Sequence, residues 1–167
     1  MRVALETPNQ PEVVALIAEL DAYQDTLYPA EARYALDLAS LSKPNVLFAV
    51  ARSAQGVAVG CGAVVLGEAY GEVKRMYVRP EARGQGLAKQ VLQALESAAG
   101  AKGCRKLLLE TGPYQREALA FYAGQGFVAC GAFGAYPEHP LSVFLGKDLW
   151  APPDGPDGRQ AGSPQAA

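Results

Sequence analysis

The residues best placed to do chemistry are Arg83-Gly84-Gln85-Gly86-Leu87-Ala88. They follow a strand-like run that closes on Val78-Arg79-Pro80, and they open an apolar-periodic run that starts at Leu87. A helix beginning there leaves its first amides without internal acceptors, and its dipole makes that end locally positive. Glycines let the backbone approach an anion closely and aim successive N–H groups at it. Arg83 adds a fixed positive charge at the rim. Together these features make a cradle for a pyrophosphate. An ordinary Gly-rich turn before a helix explains the same residues, because two glycines in a short window are common.

A dinucleotide site is one reading of the loop. Gly84-x-Gly86 follows a strand, and Glu110 closes the next strand 24 residues after Gly86, near the offset of a ribose-binding acid. Against it, Lys89 stands where a third glycine belongs, and only one strand–helix–strand unit is present. A phosphate-binding GxxxxGK[ST] loop occurs nowhere in the chain.

Composition narrows the classes further. The 167 residues suffice for one domain, half of them are hydrophobic, and 15 Lys and Arg against 17 Asp and Glu give a net charge of −2. That balance argues against holding a nucleic-acid backbone. No apolar run approaches the roughly 20 residues of a membrane span, so neither nucleic acid nor membrane is an expected partner. Cys61, Cys104 and Cys130 are odd in number and scattered, which opposes a disulfide framework or a CxxC metal site. They read as small core residues. With His139 the lone histidine, no metal is expected. The chain opens without a signal-peptide pattern, and a reducing cytoplasm is the expected compartment.

The elements that must position the loop follow from periodicity. Residues 2–6 read as a strand. Pro11 opens a helix carrying Val13, Leu16, Ile17 and Leu20, and a second helix is expected from Ala30 to Leu41. Val46 to Ala51, Val57 to Leu66 and Glu72 to Arg79 form an antiparallel meander, because short connections join them. Leu87, Val91, Leu92, Leu95 and Ala99 mark a helix with one apolar stripe. Lys106 to Glu110 is a central strand, Tyr114 to Gln125 a helix, and Phe127 to Cys130 and Leu141 to Lys147 the last strands. The expected fold is α/β (α+β), a mixed, mostly antiparallel central sheet flanked by helices. It occupies residues 1–150. Residues 151–167, rich in Pro, Gly and Ala, are expected to form a disordered tail.

Arg83 to Ala88 also resembles the [Q/R]-x-x-G-x-[G/A] signature of the GCN5-related N-acetyltransferase (GNAT) superfamily. Lys74-Arg75-Met76-Tyr77-Val78-Arg79-Pro80-Glu81-Ala82 looks like that family's fourth strand and its exit. Ala118-Leu119-Ala120-Phe121-Tyr122-Ala123-Gly124-Gln125-Gly126-Phe127 is similar to its second signature, A-x-x-[FL]-Y-x-x-x-G-F. The two motifs stand about 30 residues apart in the family's order, and the resemblance covers residues 1–150. It suggests a bacterial stand-alone member.

The resemblance implies an acyl-CoA N-acyltransferase fold with splayed fourth and fifth strands, and acetyl-CoA as acetyl donor. The pyrophosphate would lie on the amides of Arg83, Gly84, Gln85, Gly86, Leu87 and Ala88. The pantetheine arm would pair with Met76, Tyr77 and Val78 like an added strand. A bulge would separate the two strands, and Val73 and Met76 fall on opposite faces of an unbroken strand, as a bulge would correct. Gln115 stands where the family often has an asparagine contacting the cofactor. Tyr122 matches the tyrosine beside the thioester sulfur, where a phenol can protonate the leaving thiolate. Glu110 and Glu72 are the candidate bases for the amine, with His139 outside them. The Met76 amide is the candidate oxyanion donor.

The implied reaction moves acetyl from acetyl-CoA to a primary amine of a small molecule, peptide or protein, by direct attack in a ternary complex. The acceptor walls would draw on Tyr23, Asp25, Tyr28, Glu31, Arg33 and Tyr34, then Phe133, Tyr136 and Glu138. Tyrosines with acids suit a cationic amine, whereas Arg33 suits a carboxylate. A non-catalytic acyl-CoA-binding module and a nicotinamide-nucleotide binder are the alternatives. Homodimerisation through sheet edges is compatible with the pattern.

Overall fold

The computed structural model describes residues 1–149, so the segment expected to be a disordered tail lies outside the described residues. Seven strands form one sheet in the order β1-β2-β3-β4-β5-β7-β6. They are β1 (Arg2–Leu5), β2 (Val46–Arg52), β3 (Ala58–Leu66), β4 (Gly71–Val78), β5 (Lys106–Thr111), β6 (Val128–Ala129) and β7 (Val143–Asp148). Every neighbouring pair is antiparallel except β4 with β5. The mixed sheet is therefore as expected, and its one parallel pair is the crossover through the helix after the glycine loop.

Two helical layers cover the sheet. On one face, α3 (Leu87–Ala101) buries Leu87, Val91, Leu92, Leu95 and Ala99 against Val64, Val73 and Leu107. The spacing places all five on one stripe, and each large aliphatic chain so buried contributes roughly 1.5–3 kcal/mol. The helix α4 (Arg116–Gly124) joins this cluster through Tyr122. On the other face, α1 (Pro11–Asp25) buries Val13 and Leu16 against Phe48, Val50 and Cys61. Pro11 at its first turn supplies a preset φ where an amide has no partner anyway.

Two expectations need correction. Ala30 to Leu41 is not one helix. A 3-10 turn spans Ala30–Ala32, and only Leu38–Leu41 (α2) is α-helical, capped by the Asp37 carboxylate, which accepts from the Ser40 amide at 2.8 Å. The intervening carbonyls are used elsewhere: that of Tyr34 accepts from Lys74 Nζ (2.8 Å) and that of Leu36 from Arg75 Nη2 (2.9 Å). Backbone acceptors spent on β4 cannot close helical turns. Likewise Cys61 is buried and Cys104 partly buried, but Cys130 is exposed at the short edge strand.

Gly112, after β5, lies directly under the Tyr28 ring, so that a Cβ there would overlap the ring and its hydroxyl. Gly112→Ala should therefore displace Tyr28 and destabilise the fold by about 1–3 kcal/mol in a denaturant titration.

Candidate functional site

The site begins where β4 and β5 separate. Their parallel register covers only Gly71 with Leu107 and Glu72 with Leu108. Beyond that, β4 departs. Between the β3 partners Cys61 and Ala63 the register shifts, so that Arg75 and Met76 on β4 have no partner in β3. Arg75 takes φ +59°, the one non-glycine residue with positive φ among the described residues. A bulge with a residue in the left-handed region turns the strand and resets its faces. Val73 and Met76 accordingly both reach the α3 side.

The bulge is anchored from outside. Arg75 Nη1 donates to Asp21 of α1 at 2.6 Å, and its side chain is only 6% exposed. Arg79 pairs with Glu19 of the same helix at 2.8 Å. The exit of β4 is thus held to α1 by two ion pairs whose acids lie two residues apart on that helix.

Two cavities open along the separated strands. One, of about 460 Å³, runs beside Met76, Tyr77 and Val78 to Arg83 and Ala88, and is closed by α4 through Gln115 and Tyr122. The other, of about 110 Å³, lies toward the α1–α2 connection and is lined by Tyr28, Arg33, Tyr34, Lys74 and Glu110 among others. Leu20, Met76, Gln115, Ala118 and Tyr122 line both.

At the far end of the larger groove is the glycine loop. Gly84 (φ +78°) and Gly86 (φ +74°) adopt left-handed backbone, and a Cβ at either would meet nothing within 4 Å. Arg83 and Ala88 border the larger groove, whereas Gly84, Gln85, Gly86 and Leu87 between them line neither cavity. The Gln90 amide, donating to the Gly86 carbonyl at 3.1 Å, begins the α3 backbone ladder; the amides of 84–89 find no backbone acceptor among the described residues. Arg83 is held at the rim by donating Nε to the Val78 carbonyl at 2.9 Å. Leu87 offers only its amide, because its side chain is buried in the core.

Tyr122 sits at the junction of the two cavities, with its ring against Phe121 and Phe127. Burial pushes its phenol pKa well above the ordinary value, so the hydroxyl stays protonated at neutral pH. Glu110 faces the smaller cavity. Burial raises its pKa; the Ser142 hydroxyl and Lys74 act in the opposite direction, and Glu72 adds to the rise. Glu72 lines neither cavity. Its carboxylate accepts from Tyr136 Oη at 2.5 Å and pairs with Lys74 Nζ at 3.2 Å. Lys74 Nζ also donates to Tyr136 Oη at 2.7 Å. Edge contacts to Tyr34 and Phe133 fix the Tyr136 ring.

The remaining candidates divide. Tyr28, Arg33 and Tyr34 line the smaller cavity and Tyr23 the larger one, whereas Glu31, Phe133 and Glu138 line neither. His139 is a loop residue whose Nδ1 accepts from the Leu141 amide at 3.0 Å. Burial pushes the Cys61 thiol up to about 12, which leaves no thiolate for nucleophilic use. Sequence reasoning passed over Lys74, Arg75 and Ser142 as site residues. Adjacent Lys74 and Arg75 within a strand did carry a signal, since one of two neighbours on a half-buried strand is usually apolar.

A sheet of this topology, opened between β4 and β5 with a glycine loop at the mouth, defines an acyl-CoA N-acyltransferase. Residues 13–127 match the Acetyltransferase (GNAT) family, and the chain belongs to it. It is 49% identical over 149 residues to an IAA acetyltransferase of Azospirillum brasilense, covering 88% of this chain and 97% of that protein. It is 34% identical over 152 residues to the N-acetyltransferase YsnE of Bacillus subtilis (strain 168), covering 89% and 100%. A solved structure from Klebsiella pneumoniae, assigned as an acyl-CoA N-acyltransferase, superposes with a TM-score of 0.80 at 43% identity, covering 89% and 97%. An aminoglycoside 6'-N-acetyltransferase complexed with coenzyme A shares the fold at TM-score 0.70 and 15% identity, covering 92% and 100%. The dinucleotide alternative required consecutive parallel units; the described sheet has one parallel pair.

The raised pKa of Glu110 makes a stability prediction. The fold favours the protonated carboxyl, so this contribution is complete below the ordinary value of 4.5 and is lost as pH rises through the higher folded value. Glu110→Gln stays neutral throughout. The variant should melt above the wild type at about pH 8, with the difference shrinking toward about pH 4, in thermal scans across pH.

Proposed function

We propose that the protein transfers the acetyl group of acetyl-CoA to a primary amine by direct attack within a ternary complex. The observation that carries this reading is the shared wall of the two cavities, with Tyr122 and Met76 bordering both. The larger groove suits an extended donor whose phosphates end on the free amides of 84–89 and beside Arg83. Its arm would run along Met76 to Val78, where β4 has no β5 partner. Gln115 and Arg116 close the groove from the α4 side.

In this scheme the amine enters from the smaller cavity as an ammonium and gives one proton to Glu110. Burial raises the Glu110 pKa toward that of the amine, which improves the carboxylate as a base. The nitrogen lone pair forms the C–N bond as the C–S bond breaks. The Met76 amide, at the unpaired bulge, faces the developing oxyanion. The departing thiolate takes the Tyr122 proton, which the second nitrogen proton replaces. No enzyme nucleophile takes part. Glu72, tied to Lys74 and Tyr136, holds the network beside Glu110 instead of acting as base. The three free thiols suit a reducing cytoplasm, and no helix among the described residues is long and apolar enough to cross a membrane.

Thermal unfolding with acetyl-CoA, CoA, NAD and ATP tests the donor. Acetyl-CoA and CoA, at about a hundred times their dissociation constants, should each stabilise by about 2.7 kcal/mol, and NAD and ATP should not. A shift with NAD alone, or none with either CoA species, would overturn the reading. Tyr122→Phe should lower kcat about a hundredfold, measured by free-thiol release, while keeping the acetyl-CoA stabilisation.

A further inference from the structure

The smaller cavity is richer in cations than an amine pocket requires. Its lining carries Arg33, Lys74 and Arg75 against one carboxylate, Glu110. Lys74 is already satisfied: its ammonium donates to Glu72, the Tyr34 carbonyl and the Tyr136 hydroxyl. The two arginines are not. Arg75 is 94% buried by side chain, the complement of its 6% exposure, and carries the left-handed backbone of the bulge, yet its Nε–H has no acceptor. The Arg33 Nε–H is also buried and without an acceptor. Strained backbone and unpaired buried donors persist where a ligand completes them.

We infer that the acceptor carries an anionic group, a carboxylate, which Arg33 binds while its amine faces Glu110. The inference rests on the acetyltransferase reading above and narrows its substrate class to small amino acids and related aminocarboxylates. Arg33 is the arginine whose partner can be exchanged. Its present partner, Asp25, is 56% exposed, and an exposed ion pair of this kind is weak enough to be exchanged. A guanidinium edge then meets a carboxylate with two parallel N–H donors. Arg75 lines the same cavity with its Nη atoms engaged by Asp21 and the Leu36 carbonyl, and its buried Nε–H is left for a further acceptor. A polycationic acceptor would instead meet one carboxylate and three cations, whose paired carboxylates Asp25, Glu72 and Asp21 do not line the same cavity. The aminoglycoside enzymes that share the fold do not predict this chain's acceptor.

Matched pairs test the inference: L-amino acids against their decarboxylated amines, with acetylation followed by thiol release. The same pairs are titrated calorimetrically onto the protein loaded with coenzyme A. The carboxylate-bearing members should be preferred at least about tenfold in kcat/KM and in affinity. Arg33→Gln should collapse that ratio toward one, and Arg33→Lys, which keeps the charge without the fork, should restore part of it. Retained stabilisation of each variant by acetyl-CoA shows that it is folded. Equal use of both members, preference for the plain amine, or binding of neither to the loaded protein overturns the inference and leaves the donor reading intact. Failure of coenzyme A to bind overturns the donor reading and the inference together.

Discussion

The divergence of β4 from β5 is the constraint on which the rest of the molecule depends. A parallel pair that stayed in register would satisfy both backbones with each other and leave no edge inside the sheet. Here the register ends after Glu72 and Leu108, and a one-residue bulge at Arg75 turns β4 away. The two cavities form along the gap, and the unpaired edge between them is a ready place for an extended ligand. Holding non-glycine backbone at positive φ costs on the order of 1–3 kcal/mol. The Arg75 side chain, bound to Asp21 and to the Leu36 carbonyl, offsets part of that cost.

The same two cationic residues of β4 explain an irregular stretch far away in sequence. Lys74 and Arg75 take carbonyls from the 34–36 segment, which thereby gives up helix and becomes a strap over the smaller cavity. The strap brings Tyr34 onto Tyr136, and Tyr136 onto Glu72. Buried charges of this kind contribute little net stability unless each is fully hydrogen-bonded. Lys74 meets that condition, so the network acts as a fixed frame beside Glu110. Glu110 lines the cavity and is shifted upward by burial, so two carboxylates that look alike in sequence stand in different surroundings.

The core keeps these costs affordable. Free amides at the start of α3, a buried phenol and a raised carboxyl each lower stability. The α3 stripe and the α1 face bury large aliphatic groups on both sides of the sheet. Because α3 carries the loop at one end and the stripe along its length, core packing also fixes the direction in which the free amides point.

What the sequence determined by itself was local. Periodicity located α1, α3 and the meander, because side-chain spacing and short connections leave few alternatives. The glycine loop was legible because left-handed backbone at Gly84 and Gly86 needs glycine or strains. Tyr122 and Glu110 were legible as candidates through their place in motifs and at a strand end. Tertiary structure alone decided that Ala30 to Leu41 breaks, since its carbonyls answer to residues some forty positions later. It also decided which of Glu72 and Glu110 faces the cavity, and that Cys130 lies outside the core. Burial and pairing of a charge depend on what the fold brings against it, and neighbours in space are not neighbours in sequence.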